Sequence, residues 1–137
     1  MRTFVDTSAW VAIVDDSDKY HSKAKSHYLQ LLKKKTNLLT SNYVLAETYT
    51  WLRYRVGHRY AVHFHKMATS AEKLRTLEIL WVDRALTDAA WEIFEKYSDQ
   101  VFSFTDCTSF VLAGHAKVNE VFAFDKDFVT MGFVMRP

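Results

Sequence analysis

Apolar positions along the chain follow two rhythms. Short runs at Arg2 to Asp6, Leu38 to Ser41, Leu77 to Val82 and Glu120 to Phe124 read as strands, with Phe133 to Met135 a candidate for a last one. Between them the apolar spacing lengthens to three and four residues, as at Ala24, Tyr28, Leu31 and Leu32 within His21 to Lys35. The same helical spacing holds for "RYAVHFHKMATSA" after the break at Gly57, for "ALTDAAWEIFEKY" from Ala85 to Tyr97, and for Thr105 to Lys117. Helices also begin directly at two strand ends, near Thr7 and in the segment through Glu47. Strands alternating with helices in this way predict an α/β fold, a three-layer α/β/α sandwich around a mainly parallel sheet. Such sheets bind ligands outside the carboxyl ends of their strands.

Composition limits the chain to one domain, residues 1–137, because 49% hydrophobic and 15% aromatic residues fill a single core and only three Gly and one Pro are present to form a linker. The single Cys107 makes no internal disulfide, the N-terminal segment lacks a leader pattern, and no apolar run approaches the roughly 20 residues that cross a bilayer. Together these features predict a soluble cytoplasmic protein without membrane contact. The net charge of +2 hides an asymmetry: residues 1–77 hold 13 Lys and Arg against 6 Asp and Glu, and residues 78–137 hold 5 against 10. The halves are therefore +7 and −5. A basic half can meet a polyanion or can simply be a solvated face.

Four carboxylates stand alone in uncharged surroundings. Asp6 is the only charge from Thr3 to Val14, Glu47 the only one from Tyr43 to Leu52, Asp106 the only one from Val101 to His115, and Asp125 ends the run that starts at Val121. Desolvating an isolated carboxylate costs several kcal/mol unless it is hydrogen-bonded, paired or bound to a cation. No basic partner lies inside these runs, so a shared divalent cation with oxygen ligands would serve all four, and Mg²⁺ suits an all-acid set. Structural roles compete with this reading. Asp6 with Thr7 and Ser8 can cap a helix, Ser103 to Asp106 has the spacing of a capping box, and Asp125 and Asp127 can be turn residues. Capping and ligation are compatible, because a hydroxyl that caps can also orient a neighbouring carboxylate. For Glu47 the structural reading is weaker and function is favoured, since mid-helix it caps nothing and its neighbours at four-residue spacing, Tyr43 and Trp51, are uncharged.

Other features carry less chemistry. His63 and His65 sit two apart on a helix and make a poor metal pair, and His21 and His27 read as surface or boundary residues. Cys107 has no nucleophile partners in sequence, and no Gly-rich phosphate loop occurs. Trp10, Trp51, Trp81 and Trp91 lie in apolar patterns and are expected in the core.

The stretches "FVDTSAWVAIVD", Glu47 in its helix, "SFTDCTSFVLA" and "VFAFDKDF" together resemble the PIN-domain family, most closely the VapC toxins of prokaryotic toxin–antitoxin pairs, over nearly the whole chain. The resemblance implies a Mg²⁺- or Mn²⁺-dependent ribonuclease, a homodimer held inactive by a small protein antitoxin. It implies catalytic and metal-binding roles for Asp6, Glu47, Asp106 and Asp125, with Thr7, Ser8 and Ser103 as supporting hydroxyls and Asp127 as an additional contributor. Two positions depart from the family pattern: Ala123 stands where many members have a hydroxyl, and Cys107 replaces a common Ala. Lys33, Lys34, Lys35, Arg53, Arg55 and Arg59 from the basic half are candidates to neutralise the RNA backbone.

Two other functions are open. A phosphatase or phosphoryl-accepting domain also places aspartates at strand ends, but Asp6 lacks the second aspartate of an Asp-x-Asp pair. A non-catalytic RNA- or protein-binding module on the same scaffold is disfavoured by retention of all four acids.

Overall fold

The structure, a computed structural model, describes all residues 1–137. Its strands are β1 (Arg2–Val5), β2 (Asn37–Ser41), β3 (Leu77–Leu80), β4 (Glu120–Phe122) and β5 (Met135–Arg136). Its helices are α1 (Thr7–Val14), α2 (His21–Lys33), α3 (Asn42–Arg55), α4 (His58–Lys73), α5 (Arg84–Lys96), α6 (Phe104–His115) and the short α7 (Asp127–Thr130). The strands form one sheet in the order β3-β2-β1-β4-β5, parallel at every pairing. Right-handed crossovers in this order set α1 to α4 over one face and α5 and α6 over the other.

β1 is the centre of the sheet, and its sequence explains why. Thr3, Phe4 and Val5 are fully buried, as expected for a strand covered on both faces. Thr40 of β2 is also fully buried and has its hydroxyl satisfied twice: it donates to the Val5 carbonyl at 3.0 Å and accepts from Trp10 Nε1 at 3.2 Å. That bond locks α1 onto the first two strands and lets the Trp10 indole pack between Tyr28 and Phe64. On the other face, Phe110 of α6 packs edge-on against Phe102 and Phe128. Gly57, at φ 153°, breaks α3 from α4 in a conformation that side-chain-bearing residues rarely adopt.

The predicted elements are all present, with ends shifted by a few residues. The strand expected through Phe124 stops at Phe122, and the last strand lies at Met135–Arg136. The tryptophans need a larger correction. Trp10 is core, but Trp51, Trp81 and Trp91 are 36%, 72% and 52% exposed. The reason is local: α5 buries only Ala90, so the indole beside it at Trp91 turns outward.

Candidate metal centre

The chain reverses direction across the sheet at β1. From β1 it proceeds outward to β2 and β3, then crosses back to enter β4 on the other side. A crevice opens where neighbouring strands diverge in this way, outside their carboxyl ends. Asp6 follows β1 and Asp125 follows β4 by three residues, so both acids stand at that crevice. The backbone ties the two strand ends together, with the Asp6 amide donating to the Phe122 carbonyl at 3.0 Å.

Each acid is held by its own local structure. Asp6 is the N-cap of α1, and its Oδ2 accepts from the Ser8 amide at 3.2 Å and the Ser8 hydroxyl at 2.7 Å. The Ser8 hydroxyl also accepts from the Phe124 amide at 3.0 Å, so one oxygen joins the segments that carry Asp6 and Asp125. Asp106 and Ser103 form a complete capping box: the Ser103 amide donates to Asp106 Oδ2 and the Asp106 amide donates to Ser103 Oγ, both at 3.0 Å. Asp125 Oδ1 accepts from the Asp127 amide at 3.0 Å, closing the turn into α7. Glu47 projects from the middle of α3 with no cap to serve.

All four acids line one pocket of about 340 Å³, joined by a fifth, Asp18, and by Ser8, Lys19, Tyr20 and Trp51 among others. Asp106, Asp125 and Asp127 also each present a carboxylate oxygen within 4.8 Å of the others. Asp6 and Glu47 stand outside that closest group, and the acids act on one another through charge. Burial pushes the Asp6 carboxyl up to about 6, with the charges of Asp125 and Glu47 adding to the shift and the Ser8 hydrogen bonds opposing it. Burial, followed by the charge of Asp6, pushes Asp106 to about 7, and Asp125 and Glu47 add smaller effects. Asp127 is raised by partial burial first and then by Asp125. Asp6 Oδ1 is buried and has no hydrogen-bond partner. A cation fits this arrangement, because it would satisfy that oxygen and relieve the repulsion together.

The supporting hydroxyls differ in what they do. Ser8 bonds a carboxylate directly, Ser103 bonds the Asp106 backbone, and the buried Thr7 hydroxyl has no partner. Buried Cys107 is pushed up to about 11 by burial and by Asp106, far from a thiolate nucleophile at neutral pH. The basic residues do not gather at the acids. Lys33, Lys34 and Lys35 precede β2 and so lie at the amino end of the sheet, Arg53 is on α3, Arg55 lines a groove beside Glu47, and Arg59 lies on α4. The cation that lines the acidic pocket is Lys19, beside Tyr20, whose ring stacks on Phe124 at 4.5 Å. The sequence reading passed over both Lys19 and Tyr20. Their only signal was the polar loop "DDSDKY", placed at the pocket because α2 must start near the carboxyl end of the sheet to reach β2 at the other.

No helix is long and apolar enough to cross a membrane. The chain is 38% identical over 136 residues to the 23S rRNA-specific endonuclease VapC20 of Mycobacterium tuberculosis, covering 98% of each sequence. The crystal structure of that protein, described as a sarcin–ricin loop cleaving toxin, superposes with a TM-score of 0.83 at 36% identity, over 98% of this chain and 99% of the other. VapBC2 from Rickettsia felis, at 16% identity and a TM-score of 0.71 over 99% of this chain and 98% of the other, shares the fold. So does FitAcB from Neisseria gonorrhoeae, at 13% and 0.70 over 98% and 96%. The model of the PIN domain matches residues 3–134, and with the switch-point crevice and its acids in place, the chain belongs to the PIN-domain family.

Proposed function

We propose that this protein is a metal-dependent endoribonuclease, the toxin of a toxin–antitoxin pair, and that it hydrolyses phosphodiester bonds in 23S ribosomal RNA. The observation that carries the reading is the set of four carboxylates, delivered by four separate chain segments to one pocket in which Lys19 is the only Lys or Arg. Four converging acids of this kind are costly to keep without a bound cation. The 38% identity to a 23S rRNA-specific endonuclease across 98% of the chain supports the substrate class and the toxin role, and with it an antitoxin partner and a cytoplasmic setting.

Asp6, Asp106 and Asp125 would hold the ion, Mg²⁺ or Mn²⁺, with Glu47 completing the acidic wall and Asp127 contributing from the turn. Bound there, a divalent ion supplies Lewis acidity toward the phosphate and toward water. The protein's own part is preorganisation. Ser8 fixes the Asp6 carboxylate and its spacing from Phe124, and the capping box fixes Asp106 against the start of α6. Lys19, exposed at the rim, offsets phosphate charge on entry. Exposed Trp91 and Phe94 on α5, packed with Phe104, form the face we assign to a second copy in a homodimer.

The test is cleavage of ribosomal RNA by highly purified protein with Mg²⁺, with Mn²⁺ and with EDTA. Cleavage in the metal arms and none in EDTA is expected. Undiminished cleavage in EDTA removes the metal mechanism, and no cleavage under any condition favours the non-catalytic binding module.

A further inference from the structure

Glu47 and Trp51 each line two openings. One is the acidic pocket, and the other is a groove of about 500 Å³ along the outer side of α3, where Tyr43, Tyr54 and Arg55 join them. Tyr43, Glu47, Trp51 and Arg55 are spaced four residues apart, so they form one row along the helix with about 6 Å of rise at each step. The row passes from an acid of the pocket to an indole and then to a guanidinium. Arg55 lies over the Trp51 ring at 5.7 Å from its centroid, Trp51 is 36% exposed and Tyr54 is 82% exposed.

The occupant of this groove must have a flat apolar face for the indole, negative charge for Arg55, and covalent continuity with whatever reacts beside Glu47. A single-stranded stretch of RNA has all three properties, since every base presents a π-face and every linkage a phosphate. We infer that the α3 row is a base-stacking lane: an unpaired nucleobase next to the scissile phosphodiester lies on Trp51, and Arg55 neutralises the adjoining phosphate. The inference rests on the ribonuclease reading and adds a requirement to it, that the substrate be unstacked at the cut, as in a loop rather than a duplex.

The experiment measures binding without turnover. Full-length wild type, Trp51→Ala and Trp51→Phe are titrated in EDTA with a short single-stranded oligoadenylate and with an oligomer of equal length whose sugar-phosphate chain carries no bases. Wild type is expected to prefer the oligoadenylate by about tenfold or more, the loss of one stacking contact. Trp51→Ala should bind both oligomers alike, and Trp51→Phe should recover most of the preference, with melting temperatures matched to show that the fold is intact. Arg55→Gln should weaken binding to both oligomers by a similar factor and flatten the salt dependence. No preference in wild type, or a preference that survives in Trp51→Ala, overturns the lane. An α3 groove that serves a protein partner instead gives one or other of these results. The ribonuclease reading is decided separately, by whether wild type cuts RNA when metal is added.

Discussion

Helix α1 is closed at both ends by the same local motif, an aspartate followed two residues later by a serine. At the N-cap, Asp6 Oδ2 accepts from the Ser8 amide and hydroxyl at 3.2 and 2.7 Å; at the C-cap, Asp15 Oδ1 accepts from the Ser17 amide and hydroxyl at 3.0 and 2.7 Å. Burial is similar, with Asp6 3% and Asp15 6% exposed. The difference lies in what each carboxylate does with its other oxygen. Asp15 leaves no buried oxygen unpaired and stays outside the acidic pocket, whereas Asp6 keeps Oδ1 buried, unpartnered and within the influence of Asp125 and Glu47. A shared motif therefore does not imply a shared role. What sets Asp6 apart is a residual cost that the fold does not cancel.

Glu120 at the amino end of the sheet extends the point. It is 8% exposed, close to Asp106 at 9%, but Thr3 donates to it at 3.2 Å and His27 Nε2 lies 3.5 Å away, at ion-pair distance without hydrogen-bond geometry. Burial lowers the affinity of His27 for its proton, while Glu120 opposes that shift. This buried acid has partners of its own, and it lies at the opposite end of β4 from Asp125.

The largest expected contrast is between Asp6→Asn and Asp15→Asn. The first should reduce RNA cleavage by about 100-fold or more, as when a group that positions the reacting centre is lost. The second should stay within about threefold of wild type, since Asn still accepts from Ser17. Equal losses, measured as kcat/KM on one RNA substrate, would erase the distinction between the two ends of α1.

Next come the serines. Ser8→Ala removes the oxygen shared by Asp6 and the Phe124 amide, and should weaken metal affinity by about 10-fold to 100-fold, as expected for loss of a group that orients a ligand. Ser17→Ala should leave metal affinity unchanged. Calorimetric titration with Mn²⁺ reads both directly, and a Ser8→Ala protein with wild-type affinity would show that the bridge is structural only.

Acid titration gives a smaller effect of definite sign. The carboxyls of Asp6 and Asp106 are raised from 3.8 to about 6 and about 7, so between those values the folded protein holds protons that the unfolded chain has released. That contribution is fully present below the unfolded value and is lost as pH rises through the folded ones. In EDTA the melting temperature should therefore fall by several degrees from about pH 5 to about pH 8. Asp106→Asn should reduce this slope and Asp15→Asn should not. Added metal should reverse the trend in wild type, because ions compete with protons for the same oxygens and bind better as pH rises.

The smallest expected change is in the metal-free stability of the Asp125 variant. Asp125→Asn removes one repelling charge and is nearly isosteric, so the metal-free protein should melt no lower than wild type while gaining less on adding Mg²⁺. A lower metal-free melting temperature would mean that the carboxylate charge strengthens the turn bond to the Asp127 amide by more than the repulsion costs.

The sequence was most legible where burial and charge conflict. Asp6, Glu47, Asp106 and Asp125 stand out because an uncharged run around a carboxylate is visible without coordinates, and the strand-to-helix junctions that carry Asp6 and Asp125 follow from the change in apolar period. Side-chain exposure was less legible. Trp51 and Trp91 lie in helices whose apolar faces are wider than their buried stripes, and periodicity alone does not tell a core indole from an exposed one. The direction of the basic half was not legible either. Lys33 to Lys35 are clustered in sequence, but whether they sit at the acid end of the sheet depends on the run of α2, which carries them to the opposite end.

The sheet order also sets when the site exists during synthesis. Its central strand is made first, but the neighbour that completes the crevice, β4, is made only after β2 and β3. A nascent chain therefore exposes Asp6 and Glu47 long before it can bring Asp125 beside them. The acidic crevice is thus assembled from the first strand and a late one, and its four acids come together only after Asp125 has been made.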